Sequence, residues 1–91
     1  MRGIGIELSV KRIVKFDGNG SLKAFCDLAV GEMFLIRSVK VIEGLKGLFV
    51  SMPREQGRNG QWYEVVGMLN KEAKTEVTRV VMEAYNDKVK F

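Results

Sequence analysis

The sequence predicts an α+β fold, an antiparallel meander of about five strands packed against one C-terminal helix. Three observations carry this. Apolar residues alternate with polar ones at Ile4, Ile6, Leu8 and Val10, and again at Leu22, Ala24, Cys26, Leu28 and Val30, which is the period of a half-buried strand. Turn-forming glycines separate these runs. In the last third the period changes, and Ala73, Val77, Val80, Val81, Ala84 and Tyr85 fall on one stripe of a helix.

At Lys11-Arg12-Ile13 the alternation slips, which predicts a bulge that returns Ile13 to the core. Asp17-Gly18-Asn19-Gly20 reads as a tight turn, since glycine and asparagine accept positive φ. A second strand follows over residues 22–30. Gly31-Glu32 turns the chain into a third strand over residues 33–42, apolar on both faces for much of its length. Such a strand belongs inside the sheet or at a subunit contact. Residues 43–47 form a glycine-containing loop, and residues 48–52 a short fourth strand that Pro53 ends for want of an N–H. Residues 54–60 are polar and rich in turn formers, the expected tip of a long hairpin whose second arm, residues 61–66, is the fifth strand. Asn70 stands where a helix N-cap is expected. The sheet has edges to protect, and pairing with a second copy protects one, so a dimer through the sheet is expected.

The 91 residues suffice for one domain, spanning 1–91. Fifteen Lys and Arg against eleven Asp and Glu leave a net charge of +4. That excess lies entirely in residues 1–60, which hold ten cationic and six acidic side chains. A bias of this size suits a polyanion without requiring one. There is no histidine and one cysteine, Cys26. A disulfide framework, a zinc site of cysteine and histidine, and a Ser-His-Asp or Cys-His catalytic group are therefore excluded. Asp17, Asp27, Glu32 and Glu43 are the carboxylates near turns, and nothing in their spacing makes a general acid–base pair. No enzymatic activity, cofactor or small-molecule substrate is expected. No apolar run approaches the roughly 20 residues of a membrane span, and the first residues lack an apolar signal core. With the unpaired thiol, this points to a cytoplasmic protein without a membrane partner.

Cys26 shares the parity of Leu22, Ala24 and Leu28, which predicts a buried and inert thiol. Gly18-Asn19-Gly20 and the pair Gly44 and Gly47 open no helix, so they are turns and not phosphate loops. Trp62 and Tyr63 are adjacent and point to opposite sides of a strand. One is expected in the core, while the other either packs as well or offers a stacking surface to a base. Arg54 and Arg58 lie on a polar segment with little to bury, where guanidinium groups can reach phosphates or a guanine edge.

The run Val39-Lys40-Val41-Ile42-Glu43-Gly44, followed by Gly47-Leu48-Phe49-Val50-Ser51-Met52-Pro53, closely resembles the centre of the SpoVG family of septation regulators. Val10-Lys11-Arg12-Ile13 resembles the family's basic first strand, and Asp17-Gly18 with Leu22-Lys23-Ala24 its first hairpin. Asn59-Gly60-Gln61-Trp62 and the stretch from Glu76 to Tyr85 resemble its later hairpin and its helix. The resemblance spans about residues 6–88. It implies a homodimeric regulator that binds DNA, and for some members RNA, and that affects gene expression, septum formation and sporulation. The chain departs from the family where Arg54-Glu55-Gln56 replaces the usual Ser-Lys-Arg after Met-Pro, with Arg58 further along the same loop. Phosphate contacts are accordingly expected from Arg54, Arg58, Lys11, Arg12, Arg37 and Lys40, with Lys71 and Lys74 beside the helix start. The alternative is a regulator whose basic surface meets an acidic protein, nucleic-acid binding being incidental.

Overall fold

The structure is a computed structural model that describes residues 6–87. Its elements run β1 (Leu8–Lys15), β2 (Leu22–Val30), β3 (Phe34–Gly44), β4 (Gly47–Ser51), β5 (Arg54–Gln56), β6 (Trp62–Glu64) and α1 (Lys71–Asn86). The first four strands form one antiparallel sheet in the order β1-β2-β3-β4, with α1 against one face and lying closest to β1. The α+β meander with a C-terminal helix is thus as expected. Ile4, the predicted start of the first strand, lies outside the described residues.

One element sits elsewhere than predicted. The fifth strand does not extend the meander: it is β6, and it pairs with β5 in a separate two-stranded arm. The polar stretch after Pro53 is therefore itself a strand and not only a hairpin tip. Pro53 stops the β4 ladder, and the chain turns out of the sheet. The arm is tied back where the Val65 N–H donates to the Pro53 carbonyl at 2.9 Å.

The sheet's period decides which face is covered. Ala24, Cys26 and Leu28 on β2 and Val39 and Val41 on β3 are buried, and they meet Val77, Val81 and Ala84 of the helix. Each fully buried valine or leucine contributes about 1.5–3 kcal/mol of transfer free energy. The expected bulge lies between Val10 and Arg12, and beyond it Ile13 pairs with Cys26 on the core face. A second irregularity interrupts β3 between the partners of Cys26 and Leu28. There Ser38 adopts φ 65°, and Arg37 and Ser38 are both left exposed opposite Asp27.

Between β2 and β3 the turn residues Gly31 and Glu32 have φ 61° and 57°, both in the left-handed region used by tight hairpins. For Glu32 that conformation costs about 1 kcal/mol. Its carboxylate compensates by accepting from Ser9 Oγ at 3.0 Å and pairing with Lys11 Nζ at 2.9 Å. These contacts to β1, the Lys11 bond foremost, hold its pKa below the usual value.

Candidate nucleic-acid interface

The eight cations singled out in the sequence do not form one patch. Ion pairing separates them first. Lys11 is spent on Glu32. Among the others not singled out, Lys23 faces Glu43, and Arg79 is gripped by Glu76 and Glu83 on consecutive turns of α1. Lys15 donates to the Asp87 carbonyl and lies over the Tyr85 ring. Among the described residues, Arg37, Lys40, Arg54, Arg58, Lys71 and Lys74 have no carboxylate partner. Arg12 has none either, and its guanidinium lies 5.8 Å from the Phe25 ring centroid.

Topology then divides the unpaired set. Arg54, Lys71 and Lys74 converge on one groove, together with Ser51, Glu64 and Asn70. Its walls are the free edge of β4, the base of the β5–β6 arm and the first turn of α1. Each contribution has a local cause. Pro53 ends β4 and starts the arm, which delivers Arg54 to the rim. Asn70 caps the helix, its Oδ1 accepting from the Ala73 N–H at 2.8 Å, and so fixes where the first turn begins. Lys71 and Lys74 are three residues apart and share a helix face. The helix terminus adds partial positive charge from its oriented peptide groups. Glu64, opposite Arg54 across the arm, also lines the groove, and Glu72 lies in the first turn of the helix.

The arm carries Arg58 at its tip, outside the groove. Gln56 and Trp62 are register partners, as are Arg54 and Glu64, so these four side chains share one face. Glu55 and Tyr63 occupy the other. The expectation that Trp62 or Tyr63 is in the core is not met: they are 57% and 49% exposed. Two short strands standing off the sheet have no second layer to bury against. Tyr63 is occupied locally, its hydroxyl accepting from Asn59 Nδ2 at 2.9 Å and donating to Gln61 Oε1 at 3.1 Å. Its ring fills the space beside Gly57, where an added Cβ would come within 2.8 Å of it. No such contact holds Trp62 among the described residues, and its exposed indole lies on the Arg54 side of the arm. Only the hairpin register shows this, and it follows from a turn at residues 57–60, a signal present in the sequence.

The rest of the eight that are unpaired, Arg12, Arg37 and Lys40, lie on the sheet face turned away from α1. Cys26 is buried as expected at 1% exposure. Burial, with a smaller contribution from Asp27, pushes its thiol up to about 11, so it is protonated and unreactive near neutrality. Among the described residues no group of three potential ligands could hold a metal ion, and no helix is long and apolar enough to cross a membrane.

Fold and groove together define a small sheet-and-helix protein with a cleft at its helix start that gathers three cations and Glu64. The family model for SpoVG matches residues 7–87, and the chain belongs to that family. A relative from Archaeoglobus fulgidus, named "Putative septation protein SpoVG", is 36% identical over 89% of this chain and 95% of its own length. Relatives of the same name from Desulforudis audaxviator and Staphylococcus aureus are 31% and 32% identical. The first covers 88% of this chain and 91% of its own length, the second 84% and 76%.

Proposed function

We propose that this protein is a cytoplasmic, homodimeric nucleic-acid-binding regulator with no enzymatic step, acting in septation-related control of gene expression. The observation that carries the reading is the convergence of Arg54, Lys71 and Lys74, none with a carboxylate partner among the described residues, on one groove at the helix start. Cations that serve only the fold are paired here, as Arg79 and Lys11 are. A cluster left unpaired repels itself and is relieved by a polyanion. Phosphates suit it because Arg54 offers a planar fork, the lysines offer point charges, and the helix terminus adds its field. The names of the relatives support the septation-related part.

The dimer rests on the sheet's edges. β1 is guarded by its bulge and by Lys11, Arg12 and Lys15, the usual defences of an edge strand. β4, Gly-Leu-Phe-Val-Ser, has no charge, and its pairing with β3 is free of register shifts. It is the edge fitted to pair with a second copy.

The test is competition. Retained genomic fragments and transcripts are sequenced, then challenged with excess bulk DNA. Enrichment of a few sequences that survive the challenge supports a selective regulator. Binding that bulk DNA removes completely, alongside a salt-sensitive complex with an acidic protein, would replace this reading with a protein-partner one.

A further inference from the structure

The sheet face turned away from α1 holds a second set of aromatic and cationic groups, which meets the groove only at Phe49 of β4. Register places Phe25 of β2 between Val14 of β1 and Lys40 of β3. The Phe16 ring packs on Phe25 with centroids 5.6 Å apart, and Arg12 lies above Phe25 from β1. The bulge in β3 leaves Arg37 exposed one row away. On β4, Phe49 pairs with Ile42 on this same face, about 10 Å across the sheet from β2. Phe16 is 39% and Phe49 48% exposed. A solvated antiparallel face is ordinarily polar, yet this one interleaves three phenylalanines with three cations that have no carboxylate partner among the described residues. Asp27 and the Lys11-bound Glu32 are the acids beside them.

We propose that this face is a second nucleic-acid surface, one that takes unpaired bases of a single strand. The rings of Phe16 and Phe49 stack on bases, while Arg12, Arg37 and Lys40 hold the phosphates between them. A duplex cannot use it, because its base faces are already stacked on one another. Another copy of the chain suits it poorly, since a two-fold contact would set this cationic face against itself. The inference shares the premise of a nucleic-acid ligand with the reading above, and the two sites have Phe49 alone in common.

The experiment measures binding by fluorescence anisotropy to oligothymidylate and oligouridylate of about 20 nucleotides, and to a duplex of the same length. Phe16→Leu/Phe25→Leu keeps apolar bulk and removes the two rings that lie clear of the groove. It should weaken single-strand binding at least about tenfold while duplex affinity stays within about twofold. Equal loss on both single strands assigns the recognition to the bases, and loss on oligouridylate alone adds the ribose. If the leucine pair compromises folding, Arg12→Gln/Lys40→Gln should instead flatten the salt dependence of single-strand binding by about two units. Unchanged single-strand affinity in these variants overturns the inference. So does a leucine pair that converts a dimer to a monomer-sized species, which would make the face a contact between copies. Loss of both ligands in Lys71→Ala/Lys74→Ala alone sinks the inference and leaves the groove standing. A duplex affinity untouched by that lysine pair, with single-strand loss in the leucine pair, does the reverse.

Discussion

The side chain of Asn70 accepts the backbone N–H of Ala73 at 2.8 Å, and that bond sets where the helix begins and which way Lys71 and Lys74 face. Asn70→Ala should cost about 1 kcal/mol of stability, read as a lower urea midpoint. Asn70→Asp keeps the cap but puts a carboxylate at the mouth of the groove. It should hold the urea midpoint and weaken duplex binding, which separates the structural task of the residue from the electrostatic one.

The core under α1 is small, so single truncations in it should be severe. Leu28 is fully buried and pairs with Val10 and Ile36 on either side. Leu28→Ala should cost about 2–5 kcal/mol, a large part of the stability available to one small domain. Leu69 is 97% relative exposed, and Leu69→Ala should leave the melting temperature where it was.

Alkaline pH should weaken the fold through Cys26. Its folded pKa is near 11 against 9.0 for an ordinary thiol, so on raising the pH the unfolded chain loses the proton first. The thiol's contribution is complete below about pH 9 and is lost progressively as pH rises through 11. Denaturant midpoints across that range should fall for the wild type and fall less for Cys26→Ala. An alkylating reagent at pH 8 should modify Cys26 only in denaturant.

If β4 is the pairing edge, a charge placed there should separate the copies. Leu48 is exposed at 42%, so Leu48→Lys should leave each copy folded. Sedimentation at micromolar concentration should show the wild type as a dimer and the variant as monomer-sized. A wild type that sediments as a monomer contradicts the dimer outright.

Much of this architecture is legible in the residues themselves. The alternation through Ala24, Cys26 and Leu28, the slip at Lys11, the Gly31-Glu32 turn and the stripe from Ala73 to Tyr85 each obey a local period or a local turn rule. The arm is less legible, because Arg54, Glu55 and Gln56 have no apolar alternation; they form a strand only because β6 returns beside them. The site is harder still. Lys71 and Lys74 lie nearly 20 residues from Arg54 in the chain, and only the exit at Pro53 and the cap at Asn70 bring them to one groove. Neither does sequence reveal that Glu32 occupies Lys11 while Lys74 stays unpaired, since that depends on which strands are neighbours.

If the groove meets phosphates, salt should weaken its hold on a duplex. The most direct test is the salt dependence of duplex affinity for the wild type and for Arg54→Ala/Lys71→Ala/Lys74→Ala, between about 50 and 200 mM salt. The wild type should bind with a steep slope, and the triple variant more weakly with a slope flatter by about one unit per cation removed. Arg79→Ala, which removes a cation already held by Glu76 and Glu83, should leave the slope unchanged. Equal affinity and equal slope for the wild type and the triple variant would show that the groove is not where nucleic acid binds.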